Sequence, residues 1–153
     1  MERTELPIAV FDSGLGGISV LRALVQRMPG EDFLYFGDSA NAPYGVRPAE
    51  EVRRLTQDVI ARLYDRGIKA AVIACNTATS AAIGPLRAAF PDIPVIGIEP
   101  ALKPATEAPG HGRILVMATD ITLRLDKYQE LAATYDSTYG SSEQRAAAVA
   151  QFN

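Results

Sequence analysis

The amino-acid sequence predicts an α/β protein with a doubly wound parallel sheet, because short apolar segments alternate with segments of helical periodicity. Each apolar segment is bounded by Gly, Pro, Asn or Asp, which is typical of a buried strand between loops. Loops of small polar residues follow the first three of these strands. Ligands of open α/β sheets bind beyond the carboxyl ends of the strands, where these loops lie, so we expect the functional site there.

The first half of the chain contains two predicted strands and two helices. Strands are expected at residues 8–11 and 33–36, and the loops at 12–17 and 37–47 follow them. The first helix starts at Ile18 and stops at Pro29-Gly30, and the second starts with Pro48 and ends at Gly67. The predicted inner faces are Ile18, Leu21, Val25 and Met28 for the first helix, and Val52, Leu55, Val59 and Leu63 for the second.

The second half continues the alternation. Strands are expected at residues 70–74, 94–98 and 113–118. A helix is predicted from about Thr79, kinked or restarted at Gly84-Pro85, and the prolines at 100, 104 and 109 allow only a short helix. A longer helix is predicted at 120–135, and a capped, Ala-rich helix closes the chain to Phe152. The predicted inward side chains of the 120–135 helix are Ile121, Leu125, Tyr128 and Tyr135.

Composition and charge narrow the function classes. The net charge of −3 and the absence of a basic cluster argue against nucleic acid as a partner. No apolar segment is long enough to span a membrane, and the first residues lack the apolar core of a signal peptide. A single cysteine excludes an internal disulfide and fits the reducing cytoplasm, which is the expected location. One Cys and one His form no structural zinc site, so we expect no metal.

The loops at 12–17 and 37–45 are candidate ligand contacts with weak individual signals. The first, Asp-Ser-Gly-Leu-Gly-Gly, can present backbone N–H groups to a carboxylate at a helix N-terminus. It matches neither the dinucleotide fingerprint nor the P-loop, and no cofactor is expected. A structural turn explains the first loop as simply as a binding role does, and a surface turn is the favoured explanation of the second loop on its own.

Cys75 is the strongest candidate for chemistry. It lies between a predicted buried strand and a helix, where the positive helix end lowers the pKa of a thiol. A thiolate in that position can remove a proton or attack a carbonyl. The alternative is a buried structural cysteine, which is the commoner role of a lone Cys. His111 is assigned no role, because its Pro-Gly-His-Gly context is typical of a solvated turn.

Together, five motifs in order resemble glutamate racemase, of the aspartate/glutamate racemase superfamily. The match runs from about residue 7 to 135, and the motif ending Ile-Glu-Pro favours the glutamate branch. The motifs are Val10-Phe-Asp-Ser-Gly-Leu-Gly-Gly, Tyr35-Phe-Gly-Asp-Ser, Pro43-Tyr-Gly, Ala74-Cys-Asn-Thr-Ala and Val95-Ile-Gly-Ile-Glu-Pro. The resemblance implies cofactor-independent interconversion of L- and D-glutamate, which supplies D-glutamate for peptidoglycan synthesis.

The resemblance also implies roles for individual residues. The family uses two cysteines on opposite faces of the substrate, and Cys75 matches the catalytic one that serves the D-enantiomer. Further matches to glutamate-binding positions are Asp12, Ser13, Tyr44, Gly45, Asn76 and Thr77, and Thr119 and Thr122 resemble a threonine pair near the ligand.

The sequence departs from the family in length and in its second catalytic element. The family has two similar α/β domains, whereas here we expect a complete domain at 1–98, the start of a second at 99–139 and a tail helix at 140–153. The second Cys-Thr-His motif is absent from this sequence. Three hypotheses remain: an impaired racemase, a non-catalytic half-domain that binds an amino acid or forms a homodimer, and one-sided exchange of the α-proton.

Overall fold

The computed structural model describes residues 3–99, 101–109, 118–124, 129–130 and 133. Within these residues the centre of the fold is a parallel sheet of four strands in the order β2-β1-β3-β4. Since β1 pairs with both β2 and β3, the first strand lies inside the sheet, as in other doubly wound folds. The strands are β1 (Ile8–Asp12), β2 (Phe33–Gly37), β3 (Ala70–Ile73) and β4 (Val95–Gly97).

Helices alternate with the strands and cover both faces of the sheet, which confirms the predicted fold class. One face packs against α2 and α3, and the other packs against α1. The helices are α1 (Ile18–Arg27), α2 (Ala49–Asp65), α3 (Asn76–Ala89), α4 (Leu102–Glu107) and α5 (Asp120–Arg124), with short 3-10 helices at Arg3–Glu5 and Tyr44–Val46.

The larger core lies between the sheet and helices α2 and α3. Phe11 and Ile73 contribute fully buried side chains from the strands. The predicted inner face of α2 is confirmed: Val52, Val59 and Leu63 are buried, and Leu55 packs against the same core. Each such side chain contributes roughly 1.5–3 kcal/mol through burial.

The predicted inner face of α1 is only partly correct. Leu21, Leu24 and Met28 pack against the sheet, whereas Ile18 and Val25 are each 47% exposed. Successive helical residues are about 100° apart around the axis. The partly buried stripe is centred between Leu24 and Met28, so Ile18 and Val25 lie at its margin.

Helix α3 differs from the prediction in where it begins and in its continuity at Pro85. It begins at Asn76 rather than near Thr79, because Cys75 acts as its N-cap residue. It also continues through Pro85 without interruption. Pro85 has no N–H to offer the carbonyl of Ala81, one turn earlier. That carbonyl instead accepts a hydrogen bond from Arg53 Nε of α2, at 3.2 Å.

The remaining predictions concern the chain after α3. The strand predicted at 94–98 and the short helix after it correspond to β4 and α4. Of the strand predicted at 113–118, only Ala118 is described, and it is not in a strand. The helix predicted at 120–135 is represented by α5 and by helical residues 129, 130 and 133. Ile121 lies in α5, but its side chain is not described, and Leu125, Tyr128, Tyr135 and the tail helix lie outside the described residues. No helix in the described part of the chain is long and apolar enough to cross a membrane.

Candidate functional site

The loops after β1, β2 and β3 lie side by side at the carboxyl edge of the sheet. The register places Asp12 beside Gly37, and the Asp38 N–H donates to the Asp12 carbonyl at 2.9 Å. The Ala74 N–H likewise donates to the Phe11 carbonyl at 2.7 Å. Backbone hydrogen bonds therefore hold the three loops in fixed relation to one another.

Cys75 occupies the junction of β3 and α3. Its extended backbone, with φ −122° and ψ 120°, turns the chain into the helix, and its Sγ accepts from the Ala78 N–H at 3.5 Å. The Ser13 hydroxyl lies 3.4 Å from Sγ. The thiol thus has a hydroxyl on one side and the first turn of a helix on the other, and both of these groups stabilise negative charge.

Asp12 stabilises the first loop through its side chain. Its buried carboxylate accepts from the Gly14 N–H at 3.0 Å, which fixes the turn after β1. Gly17 permits this arrangement, because a Cβ there would lie 2.7 Å from Asp12 Cβ and 3.0 Å from Ala74 Cβ. Across the loop, the Tyr35 hydroxyl donates to the Gly14 carbonyl at 2.9 Å. Burial, and secondly the Asp12 charge, raise the pKa of Tyr35, so its hydroxyl remains a donor.

Tyr44 turns its hydroxyl into the protein. The side chain is 1% exposed, and its ring packs against Phe11 with centroids 6.2 Å apart. The hydroxyl donates to Asp38 Oδ2 at 2.6 Å. Burial raises the pKa of Tyr44 well above its usual value, and the hydrogen bond to Asp38 and the charges of Asp38 and Cys75 add to this effect. The hydroxyl proton is therefore committed to Asp38.

Three threonine hydroxyls connect α3 to α5. Thr77 Oγ1 lies 3.0 Å from Thr119 Oγ1 and 3.3 Å from Thr122 Oγ1, and the latter two oxygens are 2.9 Å apart. Gly45 packs directly against this group, since a Cβ on it would lie 2.8 Å from Thr119 Cβ. Asn76 is exposed at the first position of α3. The structure thus brings Gly45 of the second loop and Thr77 of the third together with the threonine pair.

This arrangement suits an anionic small molecule and acid–base chemistry. The first turn of α3 has N–H groups without partners further back in the helix, including those of Asn76 and Thr77. A carboxylate bound there would lie next to the Cys75 thiol. Among the described residues no group of His, Cys, Asp and Glu could hold a metal ion. His111 lies outside the described residues.

Asp38 is a residue of this site that the sequence-based prediction did not single out. It follows β2 as Ser13 follows β1, and its side chain is 6% exposed. Besides Tyr44, it accepts from Asn41 Nδ2 at 3.0 Å on both carboxylate oxygens. An acidic residue directly after a predicted strand was the available signal, but a surface turn was the favoured explanation of that loop.

Residues 8–151 match the Asp/Glu/Hydantoin racemase family. The chain belongs to this family. The sequence is 56% identical to the glutamate racemase of Clostridium novyi over 88% of this chain, and 55% identical to that of Clostridium acetobutylicum over 85%. These alignments cover 52% and 51% of the two relatives, so the chain spans about half the length of the curated relatives it matches.

Solved structures of glutamate racemases are also similar to this chain. Glutamate racemase from Thermus thermophilus, in complex with β-chloro-D-alanine, superimposes with a TM-score of 0.71 at 41% identity, over 84% of this chain and 49% of that one. The Escherichia coli enzyme, in complex with L-glutamate and the activator UDP-MurNAc-Ala, gives 0.79 at 31% identity, over 91% of this chain and 55% of that one. This chain and about half of each of these glutamate racemases therefore share the same fold.

Proposed function

We propose that this chain carries the half of a glutamate racemase site that acts on D-glutamate, with Cys75 as the acid–base group. The observation that supports this most directly is the position of Cys75, which caps α3 and has the Ser13 hydroxyl 3.4 Å from its sulfur. The curated relatives of the chain are glutamate racemases. The loops around Cys75 contain the residues for which the motif resemblance implies glutamate binding.

The chemistry starts with removal of the α-proton of D-glutamate. The Cys75 thiolate takes this proton, an S–H bond forms, and the electron pair of the broken C–H bond moves into the substrate carboxylate. Negative charge then builds on the carboxylate oxygens. Backbone N–H groups at the start of α3 are placed to stabilise it. Return of a proton from Cys75 to the same face regenerates D-glutamate.

Inversion needs a second donor on the opposite face of the α-carbon. Cys75 is the only cysteine of the sequence. In this proposal residues 1–98 form the first α/β domain, 99–139 begin a second, and 140–153 form a tail helix. The chain alone then exchanges the α-proton of D-glutamate with solvent but interconverts the enantiomers poorly or not at all.

Deuterium exchange with both enantiomers tests the proposal. In D₂O, the chain is expected to introduce deuterium at the α-carbon of D-glutamate, with little into L-glutamate. Cys75→Ser is expected to lower the rate by at least ~100-fold, because the alcohol is a far weaker acid–base group. Absence of exchange with the intact chain would remove the proposed chemistry, and robust racemisation by it would refute the claim of impairment.

A non-catalytic role in self-association is the second candidate. Leu15 in the first loop is 72% exposed and Val46 beside Gly45 is 81% exposed, so two apolar side chains lie on the loops of the site. Contact between two copies of the chain would cover them. A sedimentation experiment that finds only monomer at high concentration would contradict a homodimer.

A further inference from the structure

Asp38 is buried behind the loop that carries Tyr44 and Gly45. It directly follows β2, and its N–H continues the pairing with β1 by donating to the Asp12 carbonyl at 2.9 Å. The backbone of Asp38 is therefore anchored to the sheet, and its carboxylate is a fixed point at the start of the loop at 37–47.

Three hydrogen-bond contacts converge on the two oxygens of this carboxylate. Oδ2 accepts from the Tyr44 hydroxyl at 2.6 Å and from Asn41 Nδ2 at 3.0 Å, and Oδ1 also accepts from Asn41 Nδ2 at 3.0 Å. The loop thus folds around one buried carboxylate, with Asn41 and Tyr44 both tied to it. A hydrogen bond to a charged acceptor is stronger than one between neutral groups.

The contact with Tyr44 determines where the next residue lies. The Tyr44 ring is held between Phe11 and the Asp38 carboxylate, so neither the ring nor its Cα can shift freely. Gly45 follows at once, in contact with Thr119 of the threonine group beside Cys75. A short chain of contacts therefore runs from Asp38 through Tyr44 to the surface that faces the proposed substrate.

We propose that Asp38 is a positioning residue for amino-acid binding: it holds Tyr44 and Gly45 in the orientation that accepts D-glutamate, without touching Cys75 or the substrate itself. This rests on the proposed binding of D-glutamate next to Cys75. Loss of Asp38 then weakens binding of the amino acid, while the unoccupied chain keeps its reactivity at Cys75.

Protection of Cys75 from iodoacetamide measures this binding without requiring turnover. The intact chain is alkylated with and without increasing D-glutamate, and the half-protecting concentration is compared with that of Asp38→Asn, Tyr44→Phe and the double variant. An asparagine side chain offers one acceptor oxygen where the carboxylate offers two, so it cannot satisfy all three contacts. Asp58→Asn is the matched control, because Asp58 lines the same surface groove as Asp38 but pairs with Arg54 on the protein surface.

Both single variants are expected to raise the half-protecting concentration about tenfold, as loss of a charged hydrogen bond does. The double variant is expected to be no worse than the weaker-binding single variant, because both changes break the same contact. The alkylation rate without D-glutamate should stay within about twofold in Asp38→Asn, and Asp58→Asn should behave as the unsubstituted chain.

Three results would overturn the proposal. They are an unchanged half-protecting concentration in the single variants, multiplied effects in the double variant, and no protection of the intact chain at any D-glutamate concentration. Protection without deuterium exchange would contradict the proposed proton transfer and leave the role of Asp38 supported. If Asp38→Asn unfolds, Tyr44→Phe still tests the contact from its other end.

Discussion

Gly97 offers a sharp test of how closely β4 packs against α3. A Cβ at this position would overlap Thr79 Cγ2 and would lie 3.0 Å from Thr79 Oγ1 and 3.2 Å from Ile83 Cδ1. Thr79 is 1% exposed and donates to the Ile73 carbonyl at 3.1 Å, so it has little room to move. Overpacking of this kind costs about 1–3 kcal/mol. Replacing glycine also reduces the conformational entropy of the unfolded chain, which stabilises the folded state by roughly 0.5–1 kcal/mol and offsets part of this cost.

Gly97→Ala is therefore expected to lower the free energy of unfolding by about 1–2 kcal/mol, measured by urea titration. Gly30→Ala is the matched control, because a Cβ there meets nothing within 4 Å and its φ is not positive. It should leave the urea midpoint unchanged or slightly raised. Adding Thr79→Ser to Gly97→Ala removes the colliding methyl group and should recover part of the loss. A Gly97→Ala midpoint equal to that of Gly30→Ala would refute the packing argument.

Three further predictions concern the site loops and the surface. Because the pKa of Tyr44 is raised in the folded protein, the unfolded chain loses the hydroxyl proton at a lower pH than the folded chain does. Above about pH 10 this one residue should therefore lower the free energy of unfolding by about 1.4 kcal/mol per pH unit. Urea titrations at several pH values should show that Tyr44→Phe removes this contribution. Gly45→Ala should push against Thr119 and weaken protection of Cys75 by D-glutamate, with an unchanged circular dichroism spectrum as the control. Arg54→Ala should change the free energy of unfolding by less than about 0.5 kcal/mol, because its ion pair with Asp58 is 64% and 57% exposed; a larger loss would contradict the surface assignment.

The strands and their order along the chain were predictable because their signal is local. Segments such as the one at 8–11 are apolar throughout and bounded by glycine or proline, and burial on both faces of a parallel sheet requires that composition. Helix boundaries were less predictable. Cysteine is not a preferred N-cap residue, so Cys75 gave no signal that α3 begins directly after it.

The features of the fold and of the site that escaped prediction depend on contacts distant in the sequence. The carbonyl that Pro85 leaves without its usual partner is satisfied by Arg53, and this pairing exists only once two helices pack. The tyrosine of the second loop was identified through family resemblance as a substrate contact. The direction of its hydroxyl, towards Asp38, follows from the conformation of the whole loop, which no local pattern determines.

The three threonine hydroxyls between α3 and α5 have a consequence for any carboxylate that binds beside them. Three O–H protons are available and three oxygen–oxygen contacts share them, so a closed ring uses every proton. Such a ring presents lone pairs to its surroundings and has no donor left to offer. An anion that binds there must first turn one hydroxyl outward and break one contact. Binding of a carboxylate to this group would thus exchange one hydrogen bond between threonines for one to the ligand.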